Sequence, residues 1–237
     1  MIYVMSDIHG GYDDFEKMLE KIKFSSKDKL YILGDVIDRG NKNLKMLNFC
    51  IDTPNVELII GNHEFFMLTY LFNPNDYVYA RQWDVWGGRN TLAEIKNEKI
   101  DEQLKLYNYL ISLPFSKTIT VNNQDFFLTH SGFNADIEPI KNEKGEVVLE
   151  KTIEKMMKAN PFCYLVSSDL HYIPETIKFD KKIIVGHVPT IGKDFGENKG
   201  KIYKNERFID IDCGACFRYA GGRLGCLRLD DMKEFYV

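Results

Sequence analysis

The chain has 237 residues, 44% of them hydrophobic, with 16 Phe and 13 Tyr, ample for a buried core and unlike a disordered chain. A net charge of −4 argues against nucleic acid as the main partner. No apolar run approaches the ~18 residues that span a bilayer, which argues against a membrane role.

The first residues, Met1 to Asp7, leave no room for a basic region, an apolar stretch and a cleavage site, so a cytoplasmic location is expected. The apolar run Ile2–Met5 reads as a strand and leads into Asp7 and His9. Phe15, Met18, Leu19 and Ile22 then share one helical face. Lys29–Leu33 reads as a second strand, running into Asp35, Asp38 and Arg39. Leu44, Leu47, Phe49 and Ile51 fall approximately on another helical face, and Val56–Ile60 reads as a third strand before Asn62 and His63. Asp7 to Asp35 is 28 residues and Asp35 to Asn62 is 27, close to the repeat of a βαβ unit. Phe65 to Leu71 reads as a buried helix.

The stretch from 73 to 115 is expected to be helical and polar, with helices over Asn90–Asn97 and Asp101–Ser112. Lys117–Val121 and Phe126–Leu128 form a hairpin around Asn122-Asn123, and the second run leads into His130. Lys141–Lys151 reads as a solvated excursion with a turn at Lys144-Gly145. Glu150–Ala159 is a helix stopped by Asn160-Pro161. Lys181–Val185 is a strand leading into His187. Arg207–Ile211 and Leu224–Leu229 read as antiparallel strands around a Gly221-Gly222 turn. No linker or repeat interrupts the chain, so one domain over 1–237 is expected. The five cysteines are scattered and odd in number, as for reduced thiols. Cys213 and Cys216 have redox or zinc spacing, but without a second pair they read as packing.

Four of the five histidines lie in short motifs: Asp7-Ile-His9-Gly, Gly61-Asn62-His63-Glu64, Thr129-His130-Ser-Gly and Gly186-His187-Val-Pro-Thr. Gly34-Asp35-Val-Ile-Asp38-Arg39-Gly40 lies between the first two. Each motif alone is weak, since Asp-x-His is frequent by chance and a lone histidine is usually structural. Five in this order, each after an apolar strand, are another matter, because strand ends of an open α/β sheet converge on one edge. Asp7, His9, Asp35, Asn62, His130 and His187 are too many ligands for one tetrahedral zinc, yet suit two divalent ions sharing a carboxylate and a water. Such oxygen and nitrogen donors fit manganese, iron or zinc. Ions ~3.5–4 Å apart generate a nucleophile and clamp a reacting phosphoryl group. His63, next to Asn62, suits a general acid, with Asp38 orienting its ring and holding it protonated. Arg39 offers a planar fork for phosphate oxygens.

These motifs resemble, in identity and order, those of the calcineurin-like metallophosphoesterases, specifically the phosphoprotein phosphatase branch with bacterial and phage members such as lambda phosphatase. Trp83-Asp-Val-Trp-Gly-Gly88 and Gly221-Gly-Arg-Leu224 extend the resemblance over nearly the whole chain. It implies an α/β, four-layer αββα sandwich of two mixed sheets flanked by helices. It also implies a dinuclear centre, usually of manganese or iron, with Asp7, His9 and Asp35 on one ion and Asp35, Asn62, His130 and His187 on the other. The family's second phosphate-contacting arginine is missing: the corresponding stretch Phe162–Ile173 has none, nor does any position between Arg89 and Arg207. His171, in that stretch, reads as an ordinary packed or exposed histidine.

The leading expectation is therefore a phosphomonoesterase acting on phosphorylated protein side chains by direct attack of metal-activated water. Phosphotyrosine is expected to be accepted, because the missing arginine leaves room for a ring. The alternative is a dinucleoside polyphosphate hydrolase of the diadenosine tetraphosphate type, for which Arg218, Tyr219 and Arg223 are candidate contacts. A nuclease is disfavoured by the acidic balance. A non-catalytic binding module would have lost His63, Asp38 or a ligand, and all are intact.

Overall fold

A computed structural model describes residues 1–133, 137–167 and 169–237. Ser168, within the stretch that lacks the second arginine, lies outside the described residues.

The first half builds a parallel unit of β1 (Ile2–Met5), α1 (Tyr12–Ile22), β2 (Lys29–Ile32), α2 (Asn43–Asp52) and β3 (Val56–Leu58), followed by α3 (Asn62–Phe72). A helical excursion follows, with α4 (Tyr77–Trp83), a π-helical turn over Asp84–Gly88, α5 (Arg89–Lys96) and α6 (Ile100–Ser112). The second half holds the hairpin β4 (Ser116–Val121) and β5 (Gln124–Thr129), helices α7 (Leu149–Ala159) and α8 (Pro161–Ser167), and β6 (Lys182–Val185). The chain ends with β7 (Tyr203–Lys204), β8 (Phe208–Asp210), β9 (Gly225–Arg228) and β10 (Lys233–Tyr236). One sheet has the order β10-β9-β1-β2-β3 and the other β4-β5-β6-β8-β7. In each sheet three adjacent strands run parallel, β1-β2-β3 with antiparallel β9 and β10 on one side, and β5-β6-β8 with antiparallel β4 and β7 on either side.

Side-chain alternation explains the layering, because successive residues of a strand point to opposite faces. Val4, Tyr31, Leu33 and Ile59 of the first sheet meet Ile119, Phe126, Leu128, Ile184 and Ile209 of the second in one core between the sheets. Their neighbours Tyr3, Met5, Leu30 and Ile32 face outward against Phe15, Met18 and Leu47, while Phe127, Ile183 and Phe208 belong to the outer core with Ile153 and Met156. The expected αββα sandwich of two mixed sheets is therefore found, with strands buried on both faces.

Three local expectations change. On α2 the buried residues are Leu44, Met46, Leu47 and Cys50, so Phe49 and Ile51 only flank the core. Asn160 ends α7, but Pro161 opens α8 directly, since proline at a first helical position gives up an N–H that would be unpaired anyway. The two strands at the end of the chain do not pair with each other: β8 lies parallel to β6 in the second sheet, and β9 antiparallel to β1 in the first. The intervening Gly221 and Gly222 belong to a crossing between sheets, and β10 is the true hairpin partner of β9.

Candidate metal centre

Every motif residue sits just past the carboxyl end of a parallel strand. Asp7 and His9 follow β1, Asp35 to Arg39 follow β2, and Asn62 and His63 open α3 after β3. His130 follows β5 at once, and His187 comes two residues after β6. To turn inward at these ends the backbone adopts positive φ at Asp7, His9, Asp35, Asp38, Arg39 and His187, between 49° and 73°. Non-glycine residues rarely do this, and such strain clusters where function overrides local preference. At Gly186 a side chain has no room, because a Cβ there would lie 2.2 Å from Asp7 Oδ2.

The hydrogen-bond pattern fixes which nitrogen of each ring faces the centre. His130 Nδ1 lies 2.7 Å from the Leu33 carbonyl and His9 Nδ1 lies 3.0 Å from the Ile37 carbonyl. A carbonyl only accepts, so both Nδ1 atoms carry the proton and both Nε2 atoms present a lone pair. His187 is turned the other way: Nε2 donates to the Val166 carbonyl at 3.1 Å, leaving Nδ1 as the lone pair. Those lone pairs converge on other acceptors. His130 Nε2 is 2.8 Å from Asn62 Oδ1 and 3.4 Å from Asp35 Oδ1, and His187 Nδ1 is 3.0 Å from the same Asn62 oxygen. His9 Nε2 is 3.9 Å from both Asp7 Oδ1 and Asp35 Oδ2.

Acceptors facing acceptors in a buried place repel unless a cation lies among them. Asp7, Asp35 and Glu64 are all buried, and burial, then the charges of Asp7 and Glu64, push the Asp35 carboxyl well above its usual range. Such a surplus of buried negative charge is stable only when paired or metal-bound. The donor set thus fits divalent ions, with Asp35 common to two groups of potential ligands: His9, Asp35 and His63 in one, Asp35, His130 and His187 in the other. In that grouping His63 stands close enough to be a ligand, its Nε2 3.7 Å from Asp35 Oδ2. Its hydrogen bonds engage both ring nitrogens elsewhere: its Nδ1 meets Asp38 Oδ2 at 2.6 Å, and its Nε2 accepts from the Arg39 guanidinium at 3.1 Å.

Asp38 also accepts from Trp83 Nε1 at 2.5 Å and from the Thr91 hydroxyl. Burial nevertheless raises its carboxyl to about 7, against the opposing influence of Thr91, Trp83 and Arg39. Burial, then the charges of Arg39 and His130, push His63 well below its ordinary value. The expected Asp38–His63 pair is present: Nε2 accepts from Arg39, so Nδ1 carries the proton that lies between His63 and Asp38. Arg39 also donates to His9 Nε2 at 2.8 Å and contacts Cys216 Sγ at 3.4 Å, so its fork leans over the ligand cluster.

The candidate replacements for the second arginine do not reach the cluster. His171 lies among Phe195, Tyr203 and Phe208, between Asp169 and Asp210. Arg207 donates to the carbonyls of Ile173 and Pro174, Arg218 pairs with Asp14, and Arg223 lies over the Tyr236 ring.

Some supporting residues were not singled out by sequence reading. Glu64 is wholly buried and accepts from the backbone N–H groups of Asp35, Val36 and Gly61 at 2.7–2.9 Å, which pins the loop carrying Asp35. Its position three residues after Gly61 is a helix-capping signal that could have found it. Ser6 donates to Asp7, and Asp212 is a further buried acid whose carboxyl burial and the Asp7 charge push up. No local pattern marks Asp212, because it enters from the last crossing between sheets.

Comparison with known proteins agrees with this geometry. The family model described as calcineurin-like phosphoesterase matches residues 1–211. A "Bis(5'-nucleosyl)-tetraphosphatase, symmetrical" of Pasteurella multocida (strain Pm70) is 26% identical over 144 residues, covering 56% of this chain and 45% of that protein. The chain spans about half the length, or less, of the curated relatives it matches. The structure of a cold-active protein-tyrosine phosphatase of a psychrophile Shewanella sp. superposes with a TM-score of 0.55 at 19% identity, over 99% of this chain and 79% of that one. A metallophosphoesterase from Sphaerobacter thermophilus gives a TM-score of 0.50 at 17% identity, covering 99% and 85%. With ligand geometry, sheet architecture and a match over residues 1–211 in agreement, the chain belongs to the calcineurin-like phosphoesterase family.

Proposed function

We propose that the protein is a dinuclear-metal phosphoesterase whose substrate is a dinucleoside tetraphosphate cleaved symmetrically. The observation that carries the reaction class is the convergence of imidazole, amide and carboxylate lone pairs around Asp35. Divalent ions held by Asp7, His9 and Asp35, and by Asp35, Asn62, His130 and His187, would activate water and neutralise charge at phosphorus, manganese being the first choice beside iron and zinc.

The chain's own groups do the rest. Arg39 offers two N–H groups to the non-bridging oxygens of the reacting phosphate, and in binding them it turns away from His9 and His63. Glu64 keeps the Asp35 loop from relaxing. Once Arg39 has turned to the phosphate, His63 Nε2 is free to take the proton released by the attacking water and pass it to the departing oxygen, while Asp38 holds Nδ1. In symmetrical cleavage the oxygen of water bonds to one central phosphorus, and the bond from that phosphorus to the central bridging oxygen breaks. Two nucleoside diphosphates result and, with both fully ionised, two protons are released.

The sequence alone put phosphorylated protein side chains first and dinucleoside polyphosphates second. The curated relatives support the reverse order, since the one named above is, by its name, a symmetrical bis(5'-nucleosyl)-tetraphosphatase. Phosphorylated side chains, phosphotyrosine included, stay as a second reading because Arg207, Arg218 and Arg223 are all engaged elsewhere and none takes the place of a second phosphate clamp. The test is product analysis with manganese-loaded enzyme on diadenosine tetraphosphate beside phosphoserine and phosphotyrosine peptides. ADP as sole nucleotide product, with a kcat/KM at least ~10-fold above either peptide, is expected. Faster peptide turnover, or AMP with ATP, overturns the assignment.

A further inference from the structure

We propose that Tyr219, backed by Phe217, is a stacking platform for a nucleobase of the substrate, an inference that rests on the dinucleoside reading above. Arg39 reaches both the site and the nearer of these rings. Its guanidinium lies over the Phe217 ring, 5.6 Å from the centroid, while its N–H groups face the ligand cluster. Phe217 in turn meets the Tyr219 ring at 6.2 Å, edge to face. The phosphate-binding fork and two aromatic rings thus form a line leading from the ligand cluster to solvent.

The outer ring has no structural employment that accounts for it. Tyr219 is 88% exposed, and its ring contact with Phe217 is its one described interaction. Its neighbours on either side are committed: Arg218 is tied to Asp14 and the Val237 carbonyl, and Ala220 N–H donates to the Phe217 carbonyl. The loop beneath is closed by its own backbone contacts. Phe217 N–H donates to the Gly214 carbonyl at 2.8 Å, and a Cβ at Gly222 would lie 1.9 Å from that same oxygen. An exposed aromatic ring braced against a second ring beside a phosphate clamp is an arrangement on which a base can stack.

A nucleoside polyphosphate matches the order of these groups. With a phosphate on Arg39, its ribose passes Phe217 and its base lies flat on Tyr219. Purines, with the larger π-face, are favoured over pyrimidines.

The test separates base from phosphate and needs no turnover. Manganese-loaded protein is titrated calorimetrically with adenosine 5'-(α,β-methylene)diphosphate and with methylenediphosphonate, which share the phosphorus chemistry but not the nucleoside. The wild type should bind the nucleoside compound more tightly. Tyr219→Ala should weaken it by about 5- to 100-fold, the range of a single base–aromatic stack, and shift methylenediphosphonate by less than about twofold. Tyr219→Phe should retain the wild-type difference. Equal affinities in the wild type, equal loss of both compounds in Tyr219→Ala, or no loss of either overturns the platform. Failure of the wild type to cleave diadenosine tetraphosphate would instead strike the substrate assignment and leave this binding result to stand or fall by itself.

Discussion

At the scale of single residues, two buried pairs set expectations that can be measured. The first is His63 with Asp38. A nucleoside diphosphate leaves readily, as does nitrophenolate, whereas an alkoxide does not. Proton donation from His63 should therefore matter most for alkyl phosphates, where general acids contribute about 10²–10⁴-fold. His63→Asn is expected to lose activity on alkyl phosphates by that order and on nitrophenyl phosphate far less. Equal losses at unchanged metal content would remove His63 from the acid role. The second pair is His171 with Asp210. Asp210 Oδ2 and His171 Nε2 are both buried and lack a hydrogen bond among the described residues, yet lie 3.4 Å apart. Burial, then the Asp212 charge, push the Asp210 carboxyl well up. A proton on Oδ2 facing the imidazole accounts for both orphans. A carboxyl whose pKa is raised on folding stabilises fully below its unfolded pKa and loses that contribution as pH rises through the folded value. Compared with the wild type, metal-free Asp210→Asn should gain relative stability as pH rises from 5.5 to 8.5. Parallel urea-unfolding midpoints across that range would refute the protonated form.

At the scale of elements, the strand-then-motif rhythm of the chain was readable because each unit is local. A short apolar run and the polar residue that ends it lie within a few positions, so Asp7, Asp35, Asn62, His130 and His187 could be found one by one. Pairing between distant strands leaves no such trace. β8 and β9 look alike in sequence, and only the existence of two sheets sends one to each. The helical excursion was legible as helix but not as support for the site. Trp83 at the end of α4 and Thr91 in α5 both donate to Asp38, and the Gly87 carbonyl between them accepts from Arg39 N–H at 2.9 Å. That excursion therefore positions Asp38 and Arg39 from outside the βαβ unit. Thr91→Val keeps the volume of the side chain and removes the hydroxyl donor. It should lower kcat on alkyl phosphates by roughly tenfold, about 1.4 kcal/mol, with bound metal unchanged by elemental analysis. Unaltered kcat would confine the excursion to a structural role.

At the scale of the whole molecule, the proposed ligands divide between the two sheets. Asp7, His9, Asp35 and Asn62 come from the ends of β1, β2 and β3, whereas His130 and His187 come from the ends of β5 and β6. The sheets already share a dry core, and His130 crosses it to donate to the Leu33 carbonyl. An ion among Asp35, Asn62, His130 and His187 would tie the two sheets together at the edge where acidic groups otherwise repel. Asp35 is the one carboxylate common to both ligand groups, so two manganese ions per chain are expected in the wild type and fewer in Asp35→Asn. Saturation at ~100 times the dissociation constant adds about 2.7 kcal/mol per site, which for a chain of this size shifts Tm by roughly 5–10 °C. Chelation should reverse that gain and speed amide exchange first at the carboxyl ends of β5 and β6, where the first sheet would lose its hold on the second. A single bound ion in the wild type, or a Tm indifferent to chelation, would mean that the convergence at Asp35 is not a dinuclear centre. Protection lost uniformly over both sheets would mean that the ions stabilise the fold without bridging its halves.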